Sequence, residues 1–177
     1  MIYTSKPYAV TRFLTADTAS APLWLLVRLY LGYEWLIAGW EKVMNPVWVG
    51  PGAGAAVSGF VKGALAKTGG AHPDVSWWYA EFLRGVVLPN ATIWSNIVAV
   101  GELLVGVGLL VGLFTGLAAF FGFFMNMNYL LAGTVSTNPV LLVLALAVML
   151  AHRVAGYWGL DYYVRPFFSR EARSSKR

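Results

Sequence analysis

Four apolar runs, each about as long as a membrane-spanning helix, constrain the fold of this chain more than any other feature. They occupy residues 22–40, 93–113, 115–133 and 139–158. A helix of about 20 apolar residues crosses the hydrocarbon core of a bilayer, which is about 30 Å thick. Only 12% of the residues are charged, so a soluble fold of this composition could not cover its surface. We therefore predict an all-α membrane protein: a single domain, residues 1–177, built as a four-transmembrane-helix bundle.

The segment between the first two runs, residues 41–92, is predicted to carry two short helices. It opens with turn-forming residues between 45 and 54, which exclude a regular helix there. Residues 53–67 and 75–87 then have the pattern of short amphipathic helices. The second is rich in tryptophan and tyrosine, which favour the membrane–water interface, so we predict interfacial helices. Ordinary loop helices packed on the end of the bundle explain the pattern equally well.

Basic residues indicate the orientation. The two loops that join the last three runs are uncharged. The amino-terminal arm and the tail, residues 159–177, are basic, with positive charges at Lys6, Arg12, Arg165, Arg170, Arg173, Lys176 and Arg177. Basic residues close to the ends of spans stay in the cytoplasm. We therefore predict a multi-pass protein of the cell membrane with a retained first span, both termini cytoplasmic and residues 41–92 extracytoplasmic.

The residue types also exclude several kinds of chemistry. There is no cysteine, which excludes disulfides, thiolate nucleophiles and iron–sulfur ligation by this chain. Membrane topology explains the net charge of +5, so nucleic acid is not an expected partner. A bis-histidine haem would need His72 and His152, which are predicted on opposite sides, and methionine in a bundle core mostly serves packing. We predict no metal and no haem.

Charged side chains inside the apolar runs are the candidates for a functional site. A charge near the bilayer centre costs at least ~2.5–3.5 kcal/mol, so several of them on different helices imply a shared polar interior. Glu102 lies in the middle of the second run, while Glu34 and Glu41 are seven residues apart on one face of the first. Arg28 lies on another side of that helix, with Glu102 as a candidate partner. The alternative is that these groups only hold the helices together.

Two asparagines in the third run add hydrogen-bonding groups to this interior. Asn126 and Asn128 are two residues apart, so they cannot share a helix face. At most one of them can line the same pocket as the carboxylates. The other is expected to form a hydrogen bond to a neighbouring helix.

Four stretches carry a family resemblance: GYEWLIAGWEK, VAVGELLVGVGLLVGLFT, NMNYLLAGT and GYWGLDYYVRP. In order and spacing they resemble the DoxX/DoxD membrane proteins, and FLRGVVLPNA is similar to the DoxD branch. The resemblance extends from about residue 23 to residue 166 and implies a four-helix membrane fold. For DoxD, taken as the large subunit of thiosulfate:quinone oxidoreductase, it implies electron transfer from thiosulfate to a membrane quinone, with tetrathionate as product. A second subunit, DoxA, accompanies DoxD in that enzyme.

With this resemblance, the polar interior becomes a predicted quinone site. Glu102 and Glu34 are the predicted catalytic proton carriers. The predicted quinone-binding residues are Arg28, Tyr30, Trp35, Trp40, Glu41, Asn126 and Asn128. Lys42 and Arg84 are candidates for binding the thiosulfate dianion on the outer side. The expected partners are membrane lipids, quinone as a substrate, and a second protein subunit that is DoxA-like or part of a respiratory complex.

The alternative function is a membrane subunit without catalytic activity, which docks a soluble redox partner or stabilises a respiratory complex. The absent cysteines, the aromatic outer segment and the basic tail favour it. A small transporter is a third hypothesis, which the absence of an internal repeat disfavours. The sequence leaves open whether the chain is an enzyme by itself.

Overall fold

The computed structural model describes residues 9–174, with side chains up to residue 167, and this part contains helices and no strand. The helices are α1 (Ala9–Ala16), α2 (Ala21–Val43), α3 (Ala55–Leu65), α4 (Trp77–Phe82), α5 (Ala91–Val111), α6 (Thr115–Leu131), α7 (Asn138–Leu150), α8 (His152–Ala155) and α9 (Asp161–Ser174). The predicted all-α class is therefore confirmed. Lys6, Lys176 and Arg177, which entered the prediction of orientation, lie outside the described residues.

The four apolar runs correspond to α2, α5, α6 and α7, but the fourth ends earlier than predicted. Helix α7 stops at Leu150, and the short α8 follows after Ala151. The guanidinium of Arg165 donates hydrogen bonds to the carbonyls of His152 and Arg153. The carbonyls of these two α8 residues therefore have a side-chain partner. The break at Ala151 means that residues 139–158 do not form one continuous helix.

One helical stretch in the described part, Trp77–Val111, is both long and apolar enough to cross a membrane. It forms because α4 continues through a π-helical turn, Leu83–Val87, and a 3-10 turn, Leu88–Asn90, into α5. Helix α7 is apolar, but its 13 residues extend only about 20 Å. The arrangement with four membrane crossings therefore stays a prediction.

Helices α2 and α5 pack antiparallel at very short distance. A Cβ atom at Gly39 would overlap the backbone of Leu103, and one at Gly106 would overlap the backbone of Leu36. Small residues at these positions are what allows two helix backbones to approach so closely. Helix α6 packs on α5 and α7, and α7 packs on α2. The buried apolar side chains of this bundle include Trp24, Leu31, Trp35, Val105, Leu109, Ala119 and Val148.

Residues 45–90, which we call the cap, cover the end of the bundle where α2 ends and α5 begins. The cap has its own buried cluster, which includes Val57, Val61, Val75, Tyr79 and Leu83. The Ser95 hydroxyl of α5 donates a 2.7 Å hydrogen bond to the carbonyl of Trp48 and so ties the cap to the bundle. Helices α3 and α4 thus pack on the bundle, while Trp77 and Trp78 remain exposed. Their location at a membrane interface stays a prediction.

Candidate functional site

Glu102 on α5 is the centre of a buried polar network. The residue is 1% exposed, and each carboxylate oxygen has a partner from a different helix. The Tyr129 hydroxyl of α6 donates a 2.6 Å hydrogen bond to Oε1. The Lys42 ammonium of α2 lies 2.7 Å from Oε2. We call Glu102, Lys42 and Tyr129 the Glu102 network.

The close packing of α2 on α5 explains how Lys42 reaches Glu102. Gly39 brings the α2 backbone against residues 102 and 103 of α5. Lys42 follows Gly39 by three residues, which places both on the same side of α2. The lysine therefore lies in the last turn of α2, beside the middle of α5. A long aliphatic stem lets its ammonium pair with a buried carboxylate while the residue stays near the surface.

Two aromatic residues of the cap, Trp48 and Phe60, pack against the Glu102 network. The Lys42 ammonium lies 5.2 Å from the centre of the Trp48 ring, a cation–π distance. The Phe60 ring of α3 packs edge-on against Tyr129, with ring centres 6.1 Å apart. The Lys42 side chain is 21% exposed and the Glu102 side chain 2%. Lys42 is thus the member of the ion pair that reaches the surface.

Unpartnered polar atoms lie deeper in the bundle, next to the network. Asn126 is fully buried on α6, and neither its amide nitrogen nor its oxygen has a hydrogen-bond partner among the described residues. Within the same part of the chain, the buried indole nitrogen of Trp35 on α2 also has no partner. Gly122, one turn before Asn126, allows the Trp35 indole to pack against α6. Buried polar atoms normally have partners. The two amide atoms of Asn126 and the indole nitrogen of Trp35 are therefore candidates for contact with a polar ligand atom.

The structure separates the other predicted residues of α2 from this network. Glu34 is half-buried and has no hydrogen bond or ion pair with the described residues. Glu41 is exposed, Tyr30 is 43% exposed and Trp40 is 53% exposed. The side of α2 that contacts α5 carries Gly32, Leu36 and Gly39, and Tyr30, Glu34 and Glu41 lie on the opposite side of that helix. More than half of the Trp40 surface is exposed. Trp40 therefore does not form an interior wall.

The predicted pairing of Arg28 with Glu102 is wrong. Arg28 is buried at the opposite end of the bundle, where its Nη2 donates a 2.8 Å hydrogen bond to the carbonyl of Trp158. The antiparallel register of α2 and α5 is the reason, since it places Arg28 beside Gly112. Gly112 forms the turn into α6 with φ +67°, and a side chain there would overlap the guanidinium. Asp161 supplies the nearby negative charge.

The two candidate cations for thiosulfate are both engaged elsewhere. Lys42 is paired with Glu102. Arg84 is exposed and forms a surface ion pair with Glu81, one turn earlier. Neither arrangement presents a free cation to an anion. Among the described residues there is also no group of three His, Asp or Glu side chains placed to hold a metal ion.

Asn126 and Asn128 lie on different faces of α6, as their spacing predicts. Asn126 faces the interior, and Asn128 contacts the cap, where its Oδ1 accepts a 3.1 Å hydrogen bond from the Tyr79 hydroxyl. Sequence reasoning missed Tyr129, although it follows Asn126 by three residues and therefore lies on the same side of α6. It also missed Asp161, whose carboxylate accepts hydrogen bonds from the backbone of Phe114 (2.7 Å) and Thr115 (3.0 Å) at the start of α6.

The Glu102 network can hold and transfer a proton. A carboxylate between an ammonium and a phenol has a proton donor on each side and can accept from either. Burial keeps bulk water away from Glu102, so a proton moves there through side chains. The geometry therefore permits proton transfer among these three side chains.

Comparison with known families gives one match. A family model described as "TQO small subunit DoxD" matches residues 23–176, which is nearly the whole chain. The description names a small subunit, and this corrects the large-subunit assignment expected from the resemblance. No curated protein and no solved structure matches the chain.

Proposed function

The chain belongs to the DoxD family, and we propose that it is the membrane subunit of a thiosulfate:quinone oxidoreductase-like enzyme in which the Glu102 network supplies protons to a quinone. The observation that carries this proposal is the buried carboxylate of Glu102 with Lys42 and Tyr129 on its two oxygens. The family supports the redox reaction and a partner subunit. The network supports the role of this chain in it.

Quinone reduction needs such a network because it consumes protons inside an apolar environment. Oxidation of two thiosulfate ions to tetrathionate releases two electrons and no proton. Reduction of a quinone to a quinol takes up these two electrons and two protons. General acids placed beside the acceptor typically contribute about 10²–10⁴-fold in rate. Asp161 is also buried, but both of its oxygens accept backbone hydrogen bonds at the start of α6, which leaves Glu102 for this role.

The unpartnered atoms next to the network suit a quinone carbonyl. The Trp35 indole and the Asn126 amide can each donate a hydrogen bond, and neither donor has an acceptor in the part of the chain that the structure describes. A quinone site combines apolar walls with a small number of such donors. We assign the carbonyl contacts to Asn126 and Trp35, and the proton supply to Glu102 and Tyr129.

The proposal includes the membrane arrangement. Helices α2, α5, α6 and α7 cross the bilayer, the termini are cytoplasmic and the cap is extracytoplasmic. The basic residues of α9 and the uncharged loop between α6 and α7 support this orientation. Since Lys42 and Arg84 are both paired, we place thiosulfate binding on the partner subunit or at its contact with the cap.

A docking subunit without catalytic activity is the second candidate. It is favoured by the two exposed tryptophans of the cap, Trp77 and Trp78, which are 79% and 50% exposed. Tryptophan is enriched where proteins contact partners. If the chain is such a docking subunit, a stoichiometric partner should co-purify with it, and the purified chain should carry no quinone.

The test is thiosulfate-dependent reduction of a quinone analogue by the purified complex. Glu102→Gln keeps the shape of the side chain and removes its charge, and we expect at least about a hundredfold loss of turnover. Glu81→Gln is the matched control, because Glu81 is exposed and surface ion pairs contribute little. Unchanged turnover in Glu102→Gln would remove Glu102 from the mechanism. A wild-type complex that reduces no quinone would contradict the proposed function and favour the docking subunit.

A further inference from the structure

The Glu102 network is open toward one end of the bundle. Lys42, its partly exposed member, is in the last turn of α2, where the cap begins. The other two members are covered: Glu102 is 1% exposed, and Tyr129 packs under the Phe60 ring of the cap. A path from Glu102 to water through side chains therefore leads past Lys42 and Trp48.

Toward the opposite end, apolar side chains close the bundle. Beyond Trp35 and Asn126 lie Leu31, Leu109, Ala119 and Val148, each with 0% of its surface exposed and all in one packed cluster. The other buried ionisable side chains of the described residues, Arg28 and Asp161, lie at the far end. No ionisable side chain of the described residues bridges these two ends through the core, so a proton has no relay in that direction.

We propose that Glu102 exchanges protons with water on the cap side of the molecule, and that Lys42 carries them. The Lys42 ammonium gives a proton to the Glu102 carboxylate, and the resulting amine takes up a proton from water on the cap side. Lys42 is unchanged at the end, and one proton has moved from water to Glu102. The ionisable groups around this step are Lys42 on α2, Glu102 on α5, Tyr129 on α6 and Tyr79 on α4, which contacts Asn128 of α6.

The functional meaning of this inference rests on the proposed quinone reduction. If quinone is reduced at this site, both protons are taken from the cap side. The reaction then removes protons from one aqueous compartment only, and the direction follows from the position of the network at one end of the bundle. Topology decides which compartment this is.

The experiment measures protonation of Glu102 without turnover. The protein, in complex with its partner, is reconstituted in liposomes, and the pH is lowered rapidly on one side only. Infrared difference spectroscopy follows the carboxylic acid C=O band that is absent in Glu102→Gln. We expect the band to appear after acidification on the cap side, which is identified by labelling a cysteine introduced at Ala66. Acidification of the opposite side should leave it unchanged.

Two substitutions separate proton transfer from folding. Lys42→Arg keeps the positive charge and the ion pair but does not release a proton, since arginine stays protonated. We expect the band to appear at least about tenfold more slowly in Lys42→Arg, with the thermal stability of the wild type. Lys62→Arg is the matched control, because Lys62 is an exposed lysine of α3, outside the network. It should behave like the wild type.

Three results would overturn the inference. They are a band that responds to the opposite side at the same rate or faster, a wild-type rate in Lys42→Arg, and a Glu102 that stays ionised after acidification of either side. None of these measurements uses thiosulfate or quinone. Failure of the inference is therefore distinguishable from failure of the proposed function, which shows only as absent quinone reduction.

Discussion

Among individual residues, Glu102 and Asn126 are both buried in the bundle but differ in their partners. Glu102 has a partner on each oxygen, and removing one partner of a buried ion pair typically costs about 3–5 kcal/mol. Asn126 has none, although its amide could form several hydrogen bonds. The Glu102 carboxylate, with an ion pair at Oε2 and a hydrogen bond at Oε1, stabilises the resting protein, whereas an unsatisfied amide destabilises it. Such a loss of stability is expected where a buried polar side chain binds a ligand.

Asn126→Leu is therefore expected to stabilise the protein and impair the reaction. Leucine has a similar volume and no unpartnered polar atoms, so the free energy of unfolding should rise by about 1–3 kcal/mol. If Asn126 binds a quinone carbonyl, KM for the quinone rises at the same time. Thermal unfolding in detergent and steady-state kinetics measure the two effects.

Asn96→Leu is the control for this prediction. Asn96 is half-buried on α5, and its amide donates a 2.8 Å hydrogen bond to the carbonyl of Thr92. This substitution removes a satisfied group, so no gain in stability is expected. A clear loss of stability in Asn126→Leu would mean that its amide has a partner in the folded protein.

At the scale of the element, the contact between α2 and α5 determines the site. The helices approach so closely at Gly39 and Gly106 that a methyl group would meet backbone atoms of the other helix. Backbone cannot move aside as a side chain can, so the two helices would have to separate. Because Lys42 and Glu102 lie beside Gly39, a separation there would also break the ion pair.

Gly39→Ala should therefore reduce both stability and activity. Overpacking typically costs about 1–3 kcal/mol, and we expect the upper part of this range because the clash is with backbone. Gly59→Ala on α3 is the matched control, since no atom lies within 4 Å of its added Cβ. Alanine favours a helix over glycine, so the control should be about 0.5–1 kcal/mol more stable. Equal unfolding temperatures for the two variants would contradict the packing argument.

In the molecule as a whole, the two ends of the bundle hold different polar groups. The cap end holds the Glu102 network, and the other end holds Arg28 with Asp161 and the start of α9. The apolar core separates the two groups. Under the proposed proton exchange, the orientation of the bundle in the membrane determines which compartment supplies protons to the Glu102 network.

The absence of cysteine makes this orientation directly measurable. Single cysteines are introduced at Ala66, an exposed residue of the cap, and at Ser174 in α9. In intact cells, a membrane-impermeant maleimide should label the cap position and not the α9 position. After permeabilisation it should label both. Labelling of Ser174→Cys in intact cells would contradict the predicted topology, and the unmodified chain is the background control.

Much of the helical structure is predictable from the order of residues, because apolar runs and turn residues act locally. The starts of α2, α5, α6 and α7 lie within two residues of the predicted runs. The fourth run was predicted to continue to residue 158, but α7 ends at Leu150. Just beyond this end, Arg165 donates hydrogen bonds to the carbonyls of residues 152 and 153 from 12 or 13 positions away. No local pattern contains that contact.

The helical class, the family and the candidate residue Glu102 are all predictable from the order of residues, because composition, motifs and a charge within an apolar run require no knowledge of spatial neighbours. The cation that pairs with Glu102 is instead set by how the helices pack. Arg28 and Lys42 are both on α2, and the pattern along that helix favours neither. The antiparallel register with α5, set by glycine contacts between residues far apart in the chain, places Lys42 at Glu102 and Arg28 at the other end.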